Sequence, residues 1–313
     1  MRVVRAYVGV TDGDWARHLA SSGAEEVNFW RPAGDRVFRA LSVGEPFFFK
    51  THYPDNELVG GGLYSGFASL TISEAWQIYG EANGSSTLDE MRARVGRYRR
   101  LQLSPRDDPR IGCVFIRDVT FFDTPAAPPP DFATNVVQGK TYSFAEPSGS
   151  PYVDLLVTRL LGIAVELDSS AGWHRPGPTF GDPRLTPTRL GQRAFQGVVR
   201  GAYAHRCSVT GDKIRPGLQA AHIRPLTRGG EHRIDNGLLL RSDVHTLYDA
   251  GYLAVDPDFS LVVSPRLRQE FGNGEEFYQR AASREPIAVP ARRADRPARE
   301  FLEWHLDEVF LRS

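Results

Sequence analysis

Cysteine is almost missing from this sequence, with two residues, Cys113 and Cys207, in a chain of 313. They stand far apart and neither belongs to a Cys-x-x-Cys pair, so four thiol ligands for a structural zinc are not at hand and none is expected. Cys207 reads most simply as a small buried residue. Long apolar runs are missing too: nothing approaches the roughly eighteen residues of a membrane span, and Met1-Arg2-Val3-Val4-Arg5 lacks the apolar core of a secretory signal. The expectation is a soluble cytoplasmic protein with no membrane partner. Internal repeats, a P-loop and a nucleotide-binding glycine fingerprint are also absent, which argues against ATP-driven translocation.

Net charge is the last absence. Thirty-eight Lys and Arg balance thirty-eight Asp and Glu, which at first argues against a nucleic-acid partner. The distribution answers that objection. Between Arg175 and Arg241 there are twelve basic and four acidic residues, whereas residues 1 to 150 hold sixteen and eighteen. Positive charge therefore gathers in one stretch, where phosphates would be attracted.

What is present suffices for two ordinary globular domains: 41% of residues are hydrophobic and 24% charged. Pro128-Pro129-Pro130 and Pro147-Ser148-Gly149-Ser150-Pro151 interrupt regular structure, a helix is expected from Tyr152 to Val165, and Gly172 to Pro187 is loop-like. These signals divide the chain into a domain at 1–145, a connector with one helix at 146–184 that should pack against a neighbour, and a domain at 185–313. The fold class is α+β. In the first half, Val3 to Val10, Phe47 to Lys50, Leu58 to Ala68 and Ile111 to Ile116 read as strands. Thr11-Asp12 can cap a helix, and Thr71 to Gly80 and Thr87 to Arg100 have helical periodicity. The second of these carries Arg92, Arg94, Arg97, Arg99 and Arg100 as a solvated or phosphate-facing edge. Gly60-Gly61-Gly62 suggests a bulge or a close approach to a ligand. A curved mixed sheet or small barrel follows.

The most informative stretch lies further on. An apolar strand around Ala220 to Ile223 carries His222, a polar turn follows at Arg228-Gly229-Gly230-Glu231, and Asp235-Asn236-Gly237 opens a second apolar run, Leu238 to Leu240. A short helix is expected from Ser242 as N-cap, with Asp243 at its positive end. On that helix His245 and Asp249 are four residues apart, so they project from one face about one turn apart and can grip one ion. A C-terminal helix, Pro297 to Arg312, offers Phe301, Leu302 and Trp304 for packing.

His222, Asn236 and His245, fourteen and then nine residues apart, stand in the order and near the spacing of the HNH endonuclease family, which this segment closely resembles. The likeness extends from Leu190 to Gln269 and includes Phe195-Gln196-Gly197, Tyr203 to Gly211 and Leu253-Ala254-Val255-Asp256. It implies a ββα-metal domain that hydrolyses phosphodiester bonds. His222 would be the general base, Asn236 the residue whose amide ties the loop and in some members lies near the metal, and His245 and Asp249 the metal ligands. Many members carry Asp or His just before the base; here that position is Ala221, so water and phosphate oxygens would complete the shell of a Mg²⁺ ion, or of Mn²⁺, Co²⁺ or Ni²⁺. Arg224, Arg228, Arg233 and Arg241 are the arginines expected near double-stranded DNA.

The first half more weakly resembles the PUA-like superfamily, which includes SRA, EVE and YTH domains, through Phe38 to Lys50 and the strand from Leu58 to Phe67. Members hold a flipped, modified base in an aromatic-lined pocket. Asn28, Trp30, His52, Tyr53 and Tyr64 are the residue types such a pocket needs. Together the resemblances imply a modification-dependent restriction endonuclease acting on 5-methylcytosine or 5-hydroxymethylcytosine in DNA, working as a homodimer at least on DNA. The alternatives are an HNH DNA endonuclease indifferent to modification, and a DNA-binding protein with an inactive HNH fold.

Overall fold

The computed structural model describes residues 5–34, 36–133, 135–143, 152–153, 155–160 and 191–312. The chain divides into two compact units, Met1–Ala194 and Phe195–Ser313, and mixes helices with sheets throughout as an α+β protein.

The first unit is built on six strands: β1 (Arg5–Thr11), β2 (Glu26–Arg31), β3 (Pro46–Thr51), β4 (Leu58–Thr71), β5 (Arg110–Ala126) and β6 (Gly139–Ser143). They form one mixed sheet in the order β2-β5-β4-β3-β1-β6, with β1 and β3 parallel and every other pair antiparallel. All six residues of β3 are buried, because this strand is covered on both faces. Alternation along it sends Phe47 and Phe49 to one side and Phe48 to the other. On the first side Phe29 lies 4.8 Å from Phe47, and Trp15 lies 5.1 Å from Phe49, ring centre to ring centre. Trp15 arrives there on α1 (Gly13–Ser22), whose start is set by Asp12: its carboxylate accepts from the Trp15 backbone N–H at 2.6 Å.

Phe48 packs on the opposite face with Val8, Leu58, Phe122 and Phe132, and this core is closed by Val153, Leu156 and Leu160. Residues 152–153 and 155–160 are helical. The expected connector helix therefore belongs to the core of the first unit; its last turn, and the loop-like stretch from Gly172 to Pro187, lie outside the described residues. The triple glycine sits where the β4–β5 register shifts, between Leu58 and Gly60 and again between Gly61 and Leu63. A Cβ on Gly61 would stand 2.7 Å from the Phe47 carbonyl oxygen, so a bulge and a tight strand crossing explain it.

Two further helices start at threonine caps. Thr71 and Glu74 form a reciprocal capping box at α2 (Ile72–Tyr79), and Thr87 caps α3 (Leu88–Arg99). The arginines of α3 are not a uniform solvated edge. Arg92 and Arg94 are buried and paired with Asp89 and Glu90, while Arg99 donates to the Pro32 carbonyl.

In the second unit α4 (Gln192–Ala202) leads into the hairpin of β7 (Leu218–His222) and β8 (Gly237–Arg241), followed directly by α5 (Ser242–Asp249). Leu238, Leu239 and Leu240 are fully buried, which anchors the hairpin in the core. A second hairpin, β9 (Leu253–Val255) with β10 (Leu261–Val263), precedes α6 (Pro265–Phe271), α7 (Glu275–Ala282) and α8 (Arg299–Glu308). α8 is shorter than its apolar pattern suggests, and buries Phe301, Leu302 and His305. Among the described residues no helix is long and apolar enough to cross a membrane.

Phe47 joins the two sides of the aromatic cluster, touching Tyr7, Phe29, Phe38 and Phe49. Phe47→Ala should lower the stability of the first unit by about 3–5 kcal/mol in chemical denaturation, the usual cost of emptying a buried phenylalanine site.

Candidate functional site

Strands β7 and β8 pair so that His222 lies opposite Gly237. A side chain at 237 would collide with α4: a Cβ there would fall 2.6 Å from Val199 Cγ2 and 3.1 Å from the Phe195 ring. With glycine in place, Phe195 lies flat against His222, centroids 4.0 Å apart and planes 8° from parallel. The ring of His222 is thus fixed on one face by an aromatic plate.

Asn236 is wholly buried and uses both ends of its amide. Its Oδ1 accepts from the Arg224 N–H at 2.9 Å, and its Nδ2 donates to the carbonyls of Arg224 and Glu231, each at 2.9 Å. Its backbone carbonyl also accepts from Ile223 N–H at 3.0 Å. The residue therefore ties together both ends of the turn that follows His222. Asn236 does not line the cleft of His245 and Asp249, so its amide serves the turn and not, as expected for some members, the metal. Gly230 closes the same turn, since a Cβ there would meet the Arg224 carbonyl oxygen at 1.9 Å.

His222 lines a cleft of about 440 Å³ together with Ala220, Thr227, His245, Asp249 and His305. Burial first, then the neighbouring His232 and His245, push its imidazole down to about 4, so it is uncharged at neutral pH. Its Nε2 lies 3.0 Å from His232 Nδ1. Composition gave no hint of His232; its place in Glu231-His232-Arg233, four residues before Asn236, was the available signal.

Across the cleft, α5 presents His245 and Asp249 together, with His245 Nε2 3.2 Å from Asp249 Oδ2. The other nitrogen of His245 is 2.7 Å from Gln219 Oε1. An amide oxygen can only accept, so Nδ1 donates to Gln219 and Nε2 is the nitrogen turned to Asp249. Gln219 is a second residue that spacing alone did not single out. This donor set fits a divalent cation: one imidazole nitrogen and one exposed carboxylate, converging on an open cleft with room for water and phosphate oxygens. Ala221 is fully buried against the hairpin partner Leu238 and adds nothing. Ser242 is the first residue of α5 and not its cap; Arg241 occupies that position, with no side-chain cap bond.

The four arginines expected near DNA differ in availability. Arg233 is held by Asp235 and Glu300, and Arg241 by Asp212 and Asp243, which neutralises both. Arg224 donates to the Arg228 carbonyl at 2.7 Å and lies over Trp304. Arg228 makes no ion pair among the described residues.

The five residues expected to form a base pocket do not gather around a common cavity. Asn28 is fully buried, donating to Asn83 Oδ1 at 2.8 Å, and Tyr64 is buried beside Phe38. Trp30 donates to the Asn83 carbonyl at 3.0 Å and meets the edge of Tyr98. His52 is half-buried, whereas Tyr53 is 91% exposed on the turn after β3. Asn28 and Tyr64 are core residues, because the strands that carry them bury those positions.

His222, Asn236, His245 and Asp249 thus lie within one ββα unit. Residues 207–256 match the HNH endonuclease family. The matched span contains His222, His232, Asn236, His245 and Asp249, and covers the HNH unit from the turn before β7 to the end of β9. No curated protein matches the sequence. Among solved structures, an ASCH protein from Zymomonas mobilis is 14% identical over 39% of this chain and 73% of its own, with a TM-score of 0.28. The modification-dependent restriction endonuclease TagI is 14% identical over 92% of this chain and 77% of its own, TM-score 0.30. The phosphorothioation-dependent Type IV restriction endonuclease ScoMcrA is 12% identical over 96% and 57%, TM-score 0.21. Scores this low do not establish a shared fold.

Removing the Asn236 amide should free the turn. Asn236→Ala is expected to cost about 3 kcal/mol, because it strands buried backbone groups without partners, and Asn236→Asp should do no better, since it points a carboxylate oxygen at two carbonyls; thermal denaturation checks both.

The buried imidazoles also predict a pH dependence. His222 and His305 both titrate at about 4 when folded, below the unfolded value near 6.5, so the unfolded chain binds more protons in between. Their stabilising contribution is complete above pH 6.5 and is lost as pH falls through 4. The melting temperature should drop across that window, and His305→Phe should flatten part of the drop.

Proposed function

We propose that this chain is a DNA endonuclease that hydrolyses phosphodiester bonds at the HNH cleft, and that the first unit directs it to DNA carrying a modified cytosine. The observation that carries the nuclease half is the meeting of a neutral, clamped His222 with the His245–Asp249 pair across one open cleft. His222 takes a proton from water, whose oxygen bonds to phosphorus while the bond to the leaving sugar oxygen breaks; solvent protonates that oxygen. His245 and Asp249 would hold a divalent cation such as Mg²⁺, which would stabilise the charge growing on the phosphate. Asn236 keeps the base from swinging away from the cleft. Arg228 is available to engage the backbone of double-stranded DNA.

Support for modified-base recognition is the resemblance of Phe38 to Phe67 to PUA-like readers, with Trp30, His52 and Tyr53 the remaining candidates with access to solvent. Cutting both strands requires two such centres, so a dimer on DNA belongs to the same reading.

One observation favours a second reading. Ala221 stands where many HNH proteins carry a further ligand, as a DNA-binding protein with a silent HNH site would have it. The experiment is cleavage of matched duplexes bearing cytosine, 5-methylcytosine or 5-hydroxymethylcytosine, with Mg²⁺ or Mn²⁺ and with a chelator. Cleavage should be confined to a modified duplex, stop with chelator, and fall at least about 10²-fold in His222→Ala. Equal cleavage of all three would leave the nuclease and remove the modified base; binding without cleavage would favour the silent site.

A further inference from the structure

We propose that His232 is a positioning residue for the base: by accepting a hydrogen bond from His222 Nε2–H, it directs the basic lone pair of His222 to Nδ1. This rests on the endonuclease reading above.

The argument begins with the 3.0 Å separation of His222 Nε2 and His232 Nδ1. Two imidazole nitrogens that close share a single proton, and only two arrangements are possible. If His232 donates, the remaining proton of neutral His222 sits on Nδ1 and neither nitrogen can accept one. If His222 donates, Nδ1 carries a lone pair, and Nδ1 makes no hydrogen bond among the described residues. Only the second arrangement leaves a base. His232 then carries its own proton on Nε2. Burial lowers the His232 imidazole below its ordinary value, as it does His222, so the resting pair is neutral.

The geometry is built, not incidental. Phe195 stacks on His222 and touches the His232 ring at 5.7 Å between centroids, so one aromatic side chain braces both imidazoles. His232 is delivered by the turn whose ends Asn236 ties, through the Glu231 carbonyl beside it. The other titratable groups along the cleft are His245 and Asp249 of α5 and His305 of α8. None of them is bonded to His222, so among the described residues His232 is the group that sets its tautomer. In hydrolases that orient a histidine with a carboxylate, the partner raises the imidazole's basicity. A neutral imidazole partner orients without doing so, consistent with a base that stays uncharged far below neutrality.

The test has two arms. Long-range ¹H–¹⁵N correlation spectra of the full chain, without metal or DNA and assigned with His222→Gln, should show His222 protonated at Nε2 near pH 7. In pH–rate profiles of cleavage, His232→Asp should move the acid limb up by about one unit or more, as an adjacent carboxylate would. His232→Asn, a neutral acceptor, should leave the limb in place and retain more activity than His232→Ala, which should fall at least tenfold. A merely structural His232 would change the amount of folded protein and not the position of the limb. A His222 protonated at Nδ1, or a limb unmoved in His232→Asp, overturns the proposal while wild-type cleavage preserves the nuclease reading. A wild type that cuts no duplex overturns the nuclease reading and the catalytic role of the pair together.

Discussion

The site depends on one buried amide. Asn236 is at once the end of a turn and the clasp that closes it, since its hydrogen bonds to Arg224 and Glu231 join both sides of the turn between residues 224 and 236. Without the clasp, the turn after His222 is a Gly-rich polar stretch with little apolar surface of its own. With it, the turn has one conformation, and His222 and His232 face each other. The same residue therefore connects the hairpin's packing to the chemistry of the cleft.

Orientation across the cleft follows a related rule. Each imidazole meets a neutral partner at one of its nitrogens: His245 Nδ1 meets Gln219 at 2.7 Å and His222 Nε2 meets His232 at 3.0 Å. Neither supplies charge to the cleft, so the electrostatics there are left to Asp249 and to whatever the cleft binds. The arginines nearby are similarly restrained, since Arg233 and Arg241 are spent on local carboxylates. The basic excess seen along the chain is consequently smaller in effect than in count.

The nuclease half was legible because its signal is local. The stretch from His222 through Asn236 to His245 spans the end of one hairpin strand, its partner strand and the start of a helix, and all three fall within that short span. His232 and Gln219 were harder to read, because a positioning role is defined by which atom faces which, and spacing carries no such information. The first half was legible as strands and capped helices but not as a site. Asn28 and Tyr64 have the right chemistry for reading a base, yet the sheet buries both; side-chain type does not report which face of a strand is covered on both sides. The paired Arg92 and Arg94 of α3 teach the same lesson, since their carboxylate partners one turn away turn a basic run into interior structure.

The helical residues 153, 156 and 160 that close the core behind Phe48 bear on how the chain is partitioned. The Pro-rich stretch before them looks like a seam, and a division at 145 falls there. Yet the sheet's second face would then be left bare, with Val8, Phe48 and Phe122 turned to water. As a unit of inheritance or of exchange between proteins, the first domain must carry this helix with it, and the true seam lies beyond residue 160.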